Sequence, residues 1–330
     1  MYKLLASIFL LFFTVLMTSC SRVSSKDTAT VVNNINVTIP DLEQTYKLVY
    51  ISDLHIIDDI TEVDEEHRGT VQSRKSSMIN PKGETAKDYW PTLISEINSH
   101  SPDAVLLGGD MIDYMSPSNV ACLNEGLKKL SAPVIYVRAD HDYANWFDKD
   151  ITPEAIHSLG QSIDSNAEIM IYSLKEFTIL GINNSTSQIS PSALTKLNEF
   201  FDTNQKPVIL LTHVPFASPL NPTLDAKSKE VWQDRSLIWG NDCYYVPDSN
   251  TKQAIESIFN PTHNVKAVLT GHQHFSHTGQ LTEDITQYVF EPAYLGKMTV
   301  ITISNDHKDD TASVPHFPVC SNEEYKESAI

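Results

Sequence analysis

Five short segments of this chain set aspartate and histidine where they could act together: Asp53-Leu54-His55, Gly109-Asp110-Met111-Ile112-Asp113, Asp140-His141-Asp142, Thr212-His213 and Gly271-His272-Gln273-His274. Each follows a short apolar run, and five of the twelve histidines fall within them. One Asp or His at the end of a strand is ordinarily a cap or a satisfied core polar group. The same residue types at five strand ends point instead to a shared centre. Carboxylate and imidazole without thiolate is a donor set for Zn, Mn or Fe with open coordination positions, not for a structural cysteine site. The single residue between Asp53 and His55, and between His272 and His274, lets a turning backbone aim both side chains at one point. Gly271 supplies the conformational freedom and close approach that such a turn needs.

Strands must position these segments. Residues 47–51, 104–107, 133–137, 208–211 and 265–269 are near-continuous apolar runs, and each stops at one of the five polar segments. Between them, Ala86, Trp90, Leu93, Ile94 and Ile97 fall at helical spacing, with Pro91 expected to start or kink that helix, and residues 123–130 also read as helix. The pattern predicts an α/β fold with buried parallel pairing, in which ligands sit beyond the carboxyl ends of the strands. Residues 168–172, 177–180, 287–290 and 298–303 read as strands of a second sheet beside the first. Residues 56–84 and 214–250 show no periodicity and are expected to be long loops. The first carries His67, Arg68, Arg74, Lys75 and Lys82, a positive cluster that either attracts an anionic substrate or is simply solvated. The second carries Trp232, Trp239, Tyr244 and Tyr245, which either wall a substrate pocket or pack the loop onto the body.

In their order and spacing these motifs resemble the calcineurin-like metallophosphoesterases, across residues 46–303. The resemblance implies two packed β-sheets flanked by helices, a four-layer α/β/β/α sandwich with the metal site at the C-terminal ends of strands. It implies two divalent metal ions (Mn, Zn or Fe), one held by Asp53, His55, Asp110 and His274. Asp110 would bridge to the second, whose other ligands would be Asp140, His213 and His272. His141 would lie beside the scissile phosphate and protonate the leaving oxygen or stabilise phosphoryl charge. Two cations about 3.5–4 Å apart can polarise phosphoryl oxygens and turn a shared water into a nucleophile. Asp113 and Asp142 are read as orienting histidine side chains or, equally, as capping the turns they sit in. The family writes Gly-Asn where this chain has Ala139-Asp140. The alanine adds a methyl at a tight turn, and the aspartate adds a negative charge expected to favour diesters over monoesters.

The N-terminus reads as an export signal. Lys3 precedes an apolar stretch over residues 4–17 that spans about 21 Å as a helix, short of the roughly 30 Å hydrocarbon core. The following Thr18-Ser19-Cys20 resembles the box of a bacterial lipoprotein, with Cys20 the lipidated residue. These features divide the chain into a signal peptide (1–20), a flexible tether (21–42), a catalytic domain (43–305) and a C-terminal tail (306–330). The product would be exported to the cell envelope and anchored to the membrane by lipid, or otherwise secreted. A net charge of −18 disfavours nucleic-acid binding, and four scattered cysteines exclude a disulfide scaffold. The expected activity is hydrolysis of phosphomonoesters or phosphodiesters. The alternatives are a pyrophosphatase acting on a nucleotide- or lipid-linked diphosphate, and a metal-binding surface protein with a drifted site.

Overall fold

The structure is a computed structural model that describes residues 30–143, 168–183 and 188–305. Along the chain run β1 (Val31–Thr38), β2 (Tyr46–Ile51), α1 (Glu65–Ser77), α2 (Ala86–Ser99), β3 (Ala104–Leu107), α3 (Pro117–Leu127) and β4 (Val134–Tyr136). There follow β5 (Ile169–Ser173), β6 (Thr178–Ile182), α4 (Pro191–Thr203), β7 (Val208–Thr212), α5 (Pro222–Val231) and α6 (Ser249–Ile258). The described part ends with β8 (Val265–Thr270), β9 (His277–Gln280), β10 (Thr286–Val289) and β11 (Lys297–Ser304). Cys20, the expected signal peptide and the expected tail all lie outside the described residues.

Among the described residues the strands form two mixed sheets, ordered β1-β11-β2-β3-β4 and β5-β6-β7-β8-β10-β9. Pairing is parallel through β2-β3-β4 and through β6-β7-β8-β10, so the strands that carry the polar segments point the same way within each sheet. Alternation along each strand divides its side chains between two cores. Leu48, Tyr50, Leu106 and Val137 of the first sheet meet Ile179, Ile209, Leu211, Ala267 and Leu269 of the second in a layer between the sheets. Val49, Ile51, Val105 and Leu107 face the opposite way, onto Trp90, Leu93, Ile94 and Ile97 of α2 and Leu123 of α3. The second sheet buries Leu180, Leu210 and Val268 under Leu197, Phe200 and Phe201 of α4 and Ala254 and Ile258 of α6. The result is the expected four-layer α/β/β/α sandwich.

Helix starts follow the sequence closely. Thr85, Ser116, Ser190 and Asp248 each accept a backbone N–H of the first turn of α2, α3, α4 and α6, and Pro117 and Pro191 open α3 and α4. Pro91 neither starts nor ends α2. It sits inside the helix on the exposed side, where water can serve the carbonyl that its missing N–H leaves free.

Three expectations change. The tether does not extend to residue 42, because Val31–Thr38 pairs in parallel with β11 along its whole length and buries Val37 in the layer between the sheets. Its asparagines hid the strand, yet an edge strand tolerates polar residues on its open side. Residues 56–84 and 214–250 are not structureless, since they contain α1 and α5. Helix α1 buries only Val71, which is why no apolar stripe announced it. A chain begun at residue 39 is therefore expected to melt about 5 °C below one begun at residue 30, for loss of Val37 burial and of the β11 partner. Equal melting temperatures by calorimetry would show that β1 adds nothing to the domain.

Candidate metal centre

Asp53 and His55 lie just past β2, Asp110 past β3, and a 3₁₀ turn at Asp140–Asp142 past β4; His213 follows β7, and His272 and His274 follow β8. The chain turns there at a conformational cost. Asp53, His55, Asp110, His272 and His274 have φ of 53°, 51°, 52°, 69° and 55°, in the left-handed region where a non-glycine residue costs about 1–3 kcal/mol. Interlocked backbone bonds hold them: Asp53 N–H donates to Gly109 O (2.9 Å), His55 N–H to Asp110 O (3.0 Å) and Gly271 N–H to His213 O (3.1 Å). The Asp142 carboxylate accepts from the backbone N–H groups of Asp110 (2.8 Å), Met111 (2.9 Å), Ile112 (3.1 Å) and Ala139 (3.0 Å). Asp142 thus shapes the Asp110 turn and orients no histidine.

Gly271 matters through close approach, since a Cβ there would lie 2.5 Å from Asp53 Oδ2. The left-handed glycine is Gly109 (φ +96°), where a Cβ would meet His213 Nδ1 at 2.7 Å. Ala139 sits in extended backbone (φ −116°, ψ −175°), so the methyl it carries in place of hydrogen strains nothing.

The side chains converge. His213 Nε2 lies 3.2 Å from Asp110 Oδ2, His274 Nε2 3.3 Å from Asp53 Oδ1, and His55 Nε2 3.8 Å from Asp110 Oδ2. Their outer nitrogens are engaged elsewhere. His55 Nδ1–H donates to Asp113 Oδ1 (3.0 Å), His213 Nδ1–H to Gly108 O (2.7 Å) and His141 Nδ1–H to Asp113 O (2.5 Å). Tyr294 Oη is 3.4 Å from His274 Nδ1, and Tyr245 Oη is 3.1 Å from His272 Nε2, leaving His272 Nδ1 facing inward. Outer partners of this kind fix which nitrogen can serve as a ligand.

Three sets of ligand atoms lie within 4.8 Å of one another among the described residues: Asp53, His55 and His274; His55, Asp110 and His141; and Asp110, His213 and His272. Their electrostatics fit cations. His55 Nε2 faces His274 Nε2 at 3.3 Å, and His272 Nδ1 faces His213 Nε2 at 3.1 Å. Asp110 Oδ1 is buried with no hydrogen-bond partner. Burial opposes protonation of His213, but Asp110 outweighs it and lifts the pKa to about 10, while burial and the His213 charge push His272 down to about 3. A proton on His213 here does what a bound cation would do for the carboxylates. Asp140 stands apart from the three sets. It is exposed, yet its charge helps raise His141 and His213.

Sequence reasoning missed Arg74 and Tyr294. Arg74 projects from α1 and grips Asp113 with both ends of its fork, Nε to Oδ2 at 3.0 Å and Nη2 to Oδ1 at 2.5 Å. It was visible only as one member of a basic cluster on an apparent loop. Burial works against ionisation of Asp113, but the bonds from His55 and Arg74 outweigh it and hold the carboxyl well below the usual range. Of the four aromatics singled out in residues 214–250, Trp232 and Tyr245 pack on His274 and His272, Trp239 is core, and Tyr244 is exposed.

Residues 46–276 match the family model described as calcineurin-like phosphoesterase. The chain belongs to that family. It is a hydrolase of phosphate esters that works with two divalent metal ions, for which the candidate ligand groups are present. No curated protein matches the sequence. Solved structures similar to this calcineurin-like phosphoesterase include a dimetal phosphatase from Danio rerio, at 12% identity and TM-score 0.48, covering 76% of this chain and 88% of that one. A phosphopantetheinyl hydrolase from Mycobacterium tuberculosis is similar at 12% identity and TM-score 0.38, covering 74% and 89%. A purple acid phosphatase from yellow lupin (Lupinus luteus) seeds is similar at 9% identity and TM-score 0.46, covering 79% of this chain and 45% of that one.

Arg74→Ala leaves the fully buried Asp113 carboxylate short of its cation and is expected to cost about 3 kcal/mol. Because the Asp113 carboxyl is depressed below its unfolded value, this contribution is complete at neutral pH and is lost as the pH falls below about 4. Urea unfolding of both proteins across pH reads it. A variant as stable as wild type at neutral pH would contradict the role.

Proposed function

We propose that this calcineurin-like phosphoesterase is an exported enzyme, lipid-anchored at Cys20, that hydrolyses phosphomonoesters or phosphodiesters, with preference for diesters. One observation carries the reading of the site. Asp110 belongs to two of the three ligand sets and holds a buried, unpartnered Oδ1, so it has an oxygen to offer each of two ions. Asp53, His55, Asp110 and His274 would hold one ion, and Asp110, His213 and His272 the other. Bound there, the ions supply the charge that polarises phosphoryl oxygens and acidifies water.

The chain's own residues do the rest. His141 turns its Nδ1–H to the Asp113 carbonyl, which leaves Nε2 as the atom that can hold a proton toward the leaving oxygen. Burial opposes that proton, but with no ion bound Asp110, Asp113 and Asp140 outweigh it and raise the pKa to about 9. Asp140, beside His141, adds negative charge at the rim. A monoester brings up to two charges and a diester one, so the repulsion falls harder on monoesters. The export reading rests on residues 1–20 of the sequence. Among the described residues no helix is long and apolar enough to cross a membrane.

A panel of phosphate esters, assayed after chelation and again with Mn²⁺, Zn²⁺, Co²⁺ or Ni²⁺ added back, tests the activity. Turnover is expected to vanish and return with the cation; hydrolysis that persists in metal-stripped protein would refute the reading. His141→Ala is expected to lose about 10²–10⁴ in kcat at unchanged metal content. Asp140→Asn is expected to raise monoester turnover relative to diester turnover, and a fall in that ratio would show that charge at 140 does not set the preference. Cys20→Ala is expected to abolish detergent-phase partitioning in a bacterial host, whereas unchanged partitioning would rule out a lipid there.

A further inference from the structure

The segment between β7 and α6 carries large apolar side chains that face solvent. Among the described residues the exposed large hydrophobics are Val134, Ile171, Leu220, Val231, Tyr244 and Val246, and four of these six belong to this segment. Three of the four, Val231, Tyr244 and Val246, are sequence neighbours of two aromatic rings that pack on the candidate metal centre. Trp232, next to Val231, packs its ring 5.4 Å from that of His274 at an interplanar angle of 70°. Tyr245, flanked by Tyr244 and Val246, packs its ring 5.4 Å from that of His272.

The segment is also fixed relative to that centre. Gln273, buried between the two histidines, donates its side-chain N–H to Leu237 O. After Trp232 the chain passes through two consecutive left-handed non-glycine residues, Gln233 (φ 54°) and Asp234 (φ 64°), held by Asp234 N–H to Lys229 O (2.8 Å) and Arg235 N–H to Trp232 O (3.1 Å). The Asp234-to-Lys229 bond is the usual closure of a helix C-terminus, and it fixes where α5 ends and Trp232 stands. The charges nearby are mostly negative. Asp140 and Asp110 reach Tyr245 electrostatically with Arg235 opposing them, and Asp234 and Asp242 are exposed on the segment itself.

We propose that Trp232, Tyr245 and the exposed apolar residues beside them form the subsite for the alcohol portion of the ester, and that this alcohol is uncharged and apolar, an alkyl or aryl group. The proposal rests on the phosphoesterase reading. Aromatic rings set against the imidazoles, with exposed carboxylates on the same segment, favour a leaving group with hydrocarbon and without charge.

Two measurements on the full chain with metal restored test it. Across 1-alkyl phosphates from ethyl to octyl, kcat/KM is expected to rise about tenfold or more, through KM, as methylenes leave water. Trp232→Ala is expected to flatten that rise and Trp232→Phe to keep most of it, which separates loss of the wall from a folding defect. Calorimetry with octylphosphonate and ethylphosphonate reads the same preference as affinity and needs no turnover. If no ester is hydrolysed but octylphosphonate binds about tenfold more tightly, the subsite stands and the activity assignment fails. Equal affinities, or a chain-length dependence that Trp232→Ala leaves intact, would overturn the subsite. So would a Trp232→Ala variant that loses only binding to lipid vesicles, since the patch would then be a membrane contact.

Discussion

Four carboxylates, Asp53, Asp110, Asp113 and Asp142, are taken out of water within one cluster of loops, and compensating their charge is the constraint that the rest of the site answers. Asp142 is met by four backbone N–H groups, which in turn set the path of the Asp110 turn. Asp113 is met by the Arg74 fork and by His55. Asp113 is thereby balanced within the protein, whereas burial and the Asp110 charge still raise the Asp142 carboxyl to about 6. Asp53 and Asp110 are faced mainly by imidazole nitrogens that themselves crowd one another, and one Asp110 oxygen faces nothing. The imbalance is local and directed, and divalent cations correct it. The left-handed backbone at Asp53, His55, Asp110, His272 and His274 lies among the same interlocking bonds, so conformational strain and charge are concentrated at one place while three apolar layers supply the stability.

Much of this was legible in the sequence, for a physical reason. Strands such as residues 104–107 and 208–211 are buried on both faces and must be apolar throughout, so they stand out as runs, and each run ends at its polar segment. Asp53, His55, Asp110, His213, His272 and His274 were readable together because residue type and order carried the information. The features that escaped notice depend on partners distant in sequence. Val31–Thr38 is an edge strand with asparagines on it, recognisable only through its pairing with β11. Helix α1 has a single buried residue, and its link to the site is one guanidinium on one carboxylate. For Asp142 the sequence left a histidine and a turn equally open, because the backbone amides it meets belong to a loop some thirty residues earlier.

Family membership accounts for the chemistry, and the departures from the shared pattern account for what is particular here. Ala139 fits an extended backbone without strain, so the turn is not damaged by it. Asp140 stands at the rim as an exposed charge, apart from the grouped ligand atoms. Two segments that read as loops also reach the site: α1 brings a cation that braces Asp113, and the stretch after His213 sets Trp232 and Tyr245 against His274 and His272.

The central claim is that Asp110 serves two ions at once. Metal content after equilibrium dialysis against Mn²⁺ or Zn²⁺, measured by elemental analysis on wild type and on Asp110→Asn, tests it most directly. The account predicts two ions per wild-type chain and loss of both in the variant under the same conditions, with the fold retained by circular dichroism. Equal metal content in the two proteins, or a single ion per wild-type chain, would contradict it.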